Sequence, residues 1–445
     1  MKSPGILAST LCFLLIPNLG QAENLLEIYD LAVQNDPVVK AAQYEFGATE
    51  EGVMQAFAGL LPTVAIDADR TYNSQTVIKT QNPVFGNGSR NFTNDEYTLT
   101  VSQPIVNVAS WNRLAQAKSS VKQSTANNII VQQDLIVRVA TVYLNILAAK
   151  DAIKFAIAEK EAITRESQVA DIKLKQGLGT VTGFYEAKAR LALSEAKILE
   201  FENKLDDAKQ ALREIINISI GDFAFLIEAM PLVKPSEQSV DSWVSTATTQ
   251  SYAVESKRQA LAIAKEEIIK QQAGHLPTVD LVGTYNRRDT GSTLYGGGSD
   301  IESSVAMLKL NMPLFQGGAV LSRVREATLR QEKAQEELEQ EMRKIERQAR
   351  SAYLGIMTSI SKINSLQESL TFQKSAVDAR QEGHKSGIYT MLAVLDAQRD
   401  LFAVKREHAQ SRYDYLVNRL RLKQSTGTLG LDDLTAINNL LAFNK

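Results

Sequence analysis

The phrase GLLPTV, beginning at Gly59, is written again as GHLPTV, beginning at Gly274, and the two mark stretches that align over most of the chain. Leu61-Pro62-Thr63-Val64 matches Leu276-Pro277-Thr278-Val279 at an offset of 215 residues, and the same offset pairs Ile28 with Trp243, Ala32 with Ala247 and Val39 with Val254. Farther on, Val142-Tyr143-Leu144 meets Ala352-Tyr353-Leu354, and GLGTVTGFYEA from Gly177 meets GIYTMLAVLDA from Gly387, at an offset of 210. One period this long means two large tandem units and excludes a solenoid of many small ones. The 445 residues divide into a first structural repeat over 23–222, a Pro-containing linker over 223–236, a second repeat over 237–430 and a C-terminal tail over 431–445.

Within each repeat the hydrophobic period changes at prolines 62, 104, 277 and 313. After Pro62, Val64, Ile66 and Ala68 alternate with Asp67 and Asp69, and before Pro104, Tyr97, Leu99 and Val101 alternate with Thr98, Thr100 and Ser102. Val279, Leu281 and Tyr285, then Ala306, Leu308 and Leu310, repeat the pattern in the second unit. A period of two predicts strands near 62–72, 96–104, 277–286 and 303–313. Proline suits the corners because it cannot donate to a helix or ladder and pushes the preceding residue toward extended backbone. The polar stretches from Asn73 and Asn286 read as hairpin loops. Gly296-Gly297-Gly298 is followed by no Lys-Ser/Thr pair, so it reads as an exposed hairpin tip and not as a phosphate loop.

After each second strand the period becomes helical, over about Val108–Gln176 and Val320–Lys385. Leu135, Val139, Val142, Ile146, Ala149 and Ile153 recur at spacings of 4, 3, 4, 3, 4, as do Leu338, Met342, Ile345, Ala349, Ala352 and Ile356. That is a coiled-coil seam, and helices on the order of 100 Å long must lie beside other long helices. The charged residues around the second seam, such as Glu336, Glu337, Glu341, Lys344 and Arg347, read as a solvated face. Gly177 and Gly387 offer a reversal, with Thr180 and Thr390 placed to cap helices returning to about Ile216 and Lys423. The fold class is therefore mainly α with a small β part, each repeat running helix, strand, strand, long helix, helix.

Residues 1–22 have a lone Lys2, an apolar middle and small residues at Gly20 and Ala22, the pattern of a cleaved export signal. The single Cys12 falls within it, so the exported chain is read as cysteine-free. Beyond the signal no apolar run approaches the ~18 residues of a membrane-spanning helix, which leaves the strands to cross a membrane. Four strands have two edges, and unpaired backbone groups cannot stand in lipid. Copies of the chain must close the sheet: two give a filled eight-stranded barrel, three give twelve strands and room for water. Three is expected, with Tyr72, Phe92, Tyr97 and Tyr285 as candidates for an interfacial girdle. A net charge of −2 with no basic block argues against nucleic acid. His275, His384 and His408 are scattered, and neither HExxH nor GxSxG occurs, so no enzyme, catalytic residue, cofactor or metal set is expected.

Several blocks in order carry a resemblance: QAENLLEIYDLAVQNDP at the processed start, GHLPTVDL, MPLFQGG over Met312 to Gly318, VLDA over Val394 to Ala397 and GTLGLDDLTAINNLL over Gly427 to Leu441. The chain resembles the TolC-type outer membrane efflux proteins, exit ducts of Gram-negative efflux pumps and type I secretion systems. The resemblance implies a homotrimer, held in outer-membrane lipid by a twelve-stranded β-barrel and continued across the periplasm by a twelve-helix α-barrel. It also implies partners: a periplasmic adaptor (membrane fusion protein) and an inner-membrane pump or ABC exporter that open the closed tip. The alternative from the residues alone is a trimeric structural or adhesive surface rod without a conducting lumen. A rod would want large apolar residues continuously along its axis, whereas small and polar residues suit walls around water.

The turns farthest from the membrane, with Gly177, Thr180, Thr182, Gly387 and Thr390, are the expected adaptor contacts. Toward the gate the chain departs from the family. Where the family has two aspartates a helical turn apart, this chain has Ala393 and Asp396; Gly183, His384 and Tyr389 stand where the family has aspartate, tyrosine and arginine. Glu186 aligns with Asp396 at the 210 offset. If both line the constriction, three chains bring six carboxylates together, whose mutual repulsion raises apparent pKa values and whose charge attracts cations. The other reading of Glu186 is a solvated helix surface.

Overall fold

The structure is a computed structural model and describes residues 24–79, 81, 88–235, 239–293 and 296–442. The export signal, residues 236–238 beside the linker and part of the first strand-to-strand segment lie outside the described residues.

Helix α1 (Leu25–Asn35) opens with a reciprocal cap in which the Asn24 side chain accepts from the Glu27 N–H and Glu27 accepts from the Asn24 N–H. Asp36 then caps α2 (Pro37–Ala58), accepting from the N–H groups of Val38 and Val39, and takes the Arg138 guanidinium at 2.8 Å. Burial opposes ionisation of Asp36, but Arg138 and the two N–H donors outweigh it and hold the carboxyl below its usual range. Strands β1 (Thr63–Val77) and β2 (Gly88–Val106) follow, then α3 (Val108–Lys175, 68 residues) and α4 (Val181–Ile216). A two-residue strand β3 (Phe225–Leu226) precedes the second unit: α5 (Val240–Gln250), α6 (Tyr252–Gln272), β4 (Thr278–Thr293), β5 (Gly296–Asn311), α7 (Ala319–Lys385, 67 residues) and α8 (Met391–Ser425). Helix α9 (Leu431–Asn438) and β6 (Leu441–Ala442), which pairs with β3, complete the chain.

The four long strands form one antiparallel sheet in the order β1-β2-β4-β5. Each unit supplies a hairpin, β2 and β4 join the hairpins, and β1 and β5 are each left with one open edge. The strands extend beyond the expected segments, into the stretches from Asn73 and Asn286 that read as loops, and the Gly296–Gly298 run is the start of β5. Polar cross-strand pairs hold these extensions where apolar alternation has ended: Arg70 with Asp95 at 2.6 Å, Thr76 with Ser89 at 2.7 Å and Arg287 with Asp300 at 2.7 Å.

Register sorts the sheet into two unlike faces. One face carries the row Val64, Val101, Gly283, Ala306 and the row Ile66, Leu99, Tyr285, Ser304, with Leu281 opposite Leu308 and Val279 opposite Leu310. The other carries Asp67, Thr98, Asn286, Ser303 and, beside it, Thr100 opposite Thr284. On the first face the apolar rows give way to Arg70–Asp95 and Arg287–Asp300 toward the hairpin ends.

The main core lies midway along α3. Leu135, Val139, Tyr143 and Ile146 are fully buried there, with Leu25 and Ile28 of α1, Ile216 of α4, Tyr415 and Leu416 of α8 and Leu434 of α9. The Tyr415 hydroxyl accepts from the Val233 N–H and donates to the Val233 carbonyl, both at 2.9 Å, tying the linker to α8. Sequence reading missed one apolar stretch. Among the described residues, α3 holds an 18-residue window long and apolar enough to cross a membrane, but half of that window is buried inside the chain. Its apolar side chains go to this core.

Candidate gate at the helix tips

At the far end of the long helices the two units build the same turn. Gly177 (φ +70) and Gly387 (φ +78) take the left-handed conformation that ends α3 and α7, and the next N–H, of Leu178 or Ile388, bonds back to the carbonyl of Lys173 or Gly383. Thr180 then caps α4 by accepting from Gly183 N–H, and Thr390 caps α8 by accepting from Ala393 N–H. Nothing lies within 4 Å of a Cβ built on Gly177 or Gly387, so their requirement is conformational.

Between the two turns lies a cleft of about 590 Å³. It brings together Thr180, Thr182, Gly183 and Glu186 from one turn with His384, Gly387, Tyr389 and Thr390 from the other; Gly177, Ala393 and Asp396 are outside its lining. At Gly183 a Cβ would stand 3.1 Å from the capping Thr180 Oγ1, tight against its own helix's cap, and 3.8 Å, an ordinary contact, from Met391 Cβ of α8. Tyr389 lies so close over Gly383 that a Cβ on Gly383 would fall 2.5 Å from its ring. The His384 Nδ1 is 2.8 Å from the Tyr389 carbonyl and its Nε2 is 3.5 Å from Lys173 Nζ of α3.

Asp396 is not a bare carboxylate. It receives Arg190 of α4 at 2.6 Å and Arg399 of its own helix at 3.2 Å, and Arg399 also binds Asp400 at 2.8 Å. The unopposed repulsion expected of a ring at this position is therefore offset within each chain. Higher up, Glu166 of α3 accepts from Gln381 of α7 at 3.3 Å and Gln398 of α8 at 3.5 Å. Higher still, Glu159 of α3, only 6% exposed at its side chain, receives Arg406 of α8 at 2.6 Å and has Lys197 of α4 at 3.6 Å. These links join the first unit's helix pair to the second's at successive heights.

Sequence reading missed Arg190, Glu166, Glu159 and Arg406. One signal for Glu159 was present: the buried seam of α3 runs Ala156, Glu159, Ile163, Ser167, Ala170, and a carboxylate on such a seam demands a cationic partner. The partner itself comes from another helix and has no local trace.

The family described as outer membrane efflux protein matches residues 28–217 and 243–428, one segment in each half of the duplication. The outer membrane protein TolC of Escherichia coli (strain K12) is 31% identical over 435 residues, covering 96% of this chain and 86% of the relative. The proteases secretion protein PrtF of Dickeya chrysanthemi is 27% identical over 418 residues, covering 93% and 90%. Among solved structures, the Campylobacter jejuni CmeC outer membrane channel shares the fold with a TM-score of 0.79 at 16% identity, over 95% of this chain and 90% of that one.

Proposed function

The chain belongs to the outer membrane efflux protein family, and from that membership we propose a homotrimeric duct whose sheets close into a twelve-stranded barrel and whose helices form a tunnel on the order of 100 Å long. It is an outer-membrane exit duct for efflux and type I secretion. The observation that carries the trimeric reading is the sheet: one face with continuous apolar rows, one mixed face on which Asp67, Thr98, Thr100, Thr284, Asn286 and Ser303 stand among Val282, Val305 and Met307, and two open edges. Lipid tolerates such a sheet only when the edges are closed, and three copies close it around water. The signal over 1–22 is removed on export, and the helices of the repeats over 23–222 and 237–430 extend into the periplasm. Single-channel recording in planar bilayers, with native mass spectrometry of the same sample, tests this. A conducting trimer is expected; a trimer that passes no ions favours the non-conducting rod, and a stable folded monomer would overturn the trimeric assembly itself.

The helix turns are the proposed docking points for a periplasmic adaptor, which links the duct to an inner-membrane pump or ABC exporter. Leu178 and Ile388, in equivalent positions of the two units, are 78% and 74% exposed, and paired exposed apolar side chains at a tip suit a protein partner. Changing Gly177 or Gly387 would strain the turn itself, so Leu178→Asp with Ile388→Asp is the cleaner test. A rise of roughly tenfold in drug susceptibility is expected, corresponding to about 1.4 kcal/mol of lost adaptor affinity, with trimer and membrane insertion unchanged. Unaltered susceptibility would remove the contact from this site.

Asp396 is the proposed constriction residue, with Glu186 at the cleft behind it. Because Arg399 keeps Asp400 while Arg190 has Asp396 as its carboxylate, Asp396→Asn leaves Arg190 without its counter-charge beside the passage. The reversal potential across a salt gradient is expected to move toward anion preference, and further in the Glu186→Gln, Asp396→Asn pair. An unmoved reversal potential in the double variant would place selectivity elsewhere.

A further inference from the structure

The contact between His384 and Lys173 is a link between the helix tips that a single proton can reverse. A carbonyl oxygen only accepts, so the 2.8 Å contact with Tyr389 O requires the proton of a neutral His384 on Nδ1. Nε2 is then left with its lone pair toward Lys173 Nζ, 3.5 Å away, and the ammonium donates to it. Both residues lie in the last turn of their helices. The bridge thus ties the end of α3 to the end of α7, across the two units.

We propose that this pair is a proton-sensitive latch: protonation of His384 turns the acceptor facing Lys173 into a second cation and drives the two helix tips apart. Imidazole is the side-chain type that changes charge between about pH 5 and 8. The acidic groups around the pair bond elsewhere. Glu382 of α7 is bound to Lys385 at 2.7 Å and Asp171 of α3 to Lys175 at 2.7 Å, while Glu166 of α3 accepts from two glutamines and keeps its charge. Glu186 of α4 lines the cleft, with no bond to His384, while α8 presents the uncharged Met391 and Leu392. Among the described cleft-lining side chains, Lys173, Lys385 and Glu186 are the other charged groups. Lys385 is itself paired with Glu382, so a second cation at the His384 position meets Lys173 as its nearest cation, with Glu186 as the carboxylate lining the same cleft. The latch bears on the proposed tunnel because the tips it joins are the tunnel's entrance.

Two measurements separate the latch from the duct. Hydrogen exchange of the tip segments 172–184 and 383–392, in the purified full chain in detergent, compares wild type with His384→Gln at the same pH. The glutamine keeps an uncharged side chain with both an acceptor and a donor. At pH 5.5 the wild-type tips are expected to exchange roughly threefold faster than those of His384→Gln, and at pH 7.5 equally fast. In planar bilayers the wild-type conductance should rise by a similar factor over the same interval. His384→Arg should give the raised value at both pH values, and Lys173→Met should remove the step. Equal tip exchange in wild type and His384→Gln at pH 5.5, or a pH step in conductance that survives His384→Gln, overturns the latch. Absence of any channel would instead count against the duct, leaving the exchange comparison to decide the latch.

Discussion

Arginine in place of Leu308 is expected to keep the protein out of the outer membrane. Leu308 lies on the sheet face that also carries Ile66, Leu99 and Leu281, and it is 69% exposed in the single chain. In the proposed barrel that face meets acyl chains. A cation there costs about 2–4 kcal/mol near the midplane of a β-barrel, and a trimer carries the substitution three times. Thr284→Arg, on the neighbouring strand and the other face, opposite Thr100 and Val305, should insert normally because water is its proposed neighbour. Fractionation of outer membranes and the yield of detergent-resistant trimer measure both. Insertion of the Leu308 variant at the wild-type level would mean that this face is not the one turned to lipid.

The second large effect is expected along the helices, from Arg406→Leu. The change leaves Glu159 buried, with Lys197 at 3.6 Å as its nearest remaining cation. Removing one partner of a buried pair typically costs about 3–5 kcal/mol, whereas replacing both with apolar groups is often neutral or better. Arg406→Leu should therefore lower the denaturant midpoint sharply, and Glu159→Leu combined with Arg406→Leu should recover most of the loss. Glu159 stands 16 residues before the end of α3, about 24 Å above the tip at helical rise. Links below it are neutral amides or partly exposed ions. The single variant should therefore also speed amide exchange from this height down to the turns. A single variant no less stable than the double one would show that the pair anchors nothing.

The architecture was readable in the sequence wherever a period or a special residue recorded it. The seam positions marked two long helices, Gly177 and Gly387 their ends, Thr180 and Thr390 the caps that follow, and prolines 62, 277 and 313 the corners of strands, whereas Pro104, expected at a corner, lies inside β2, which pairs on to Val106. The strand lengths were not readable, because the extensions toward Val77 and Thr293 are held by polar pairs such as Thr76 with Ser89, which leave no hydrophobic alternation. The apolar window of α3 was overlooked because Asp134 and Arg138 interrupt it to the eye, yet both carry their charge into a local ion pair. The proposed gate could be read from the sequence as a cluster at the helix tips and only in part as chemistry. The family resemblance led to Asp396, and the repeat alignment from there to Glu186. Arg190, which meets Asp396 across 206 residues of chain, belongs to a pairing that only the packed helices create.

The open edges of β1 and β5 also bear on heredity. In the proposed trimer, a chain whose edge is spoiled would still carry a sound opposite edge, so it could join healthy neighbours and leave a gap in the wall they share. Such an allele would act as a poison in a cell that also makes normal protein, because each assembly is only as sound as its worst member. A lesion that prevents folding altogether would be silent in the same cell, since the failed chain never reaches a partner. Among damaging changes in this protein, the mild ones at the sheet edges should therefore be the more dominant.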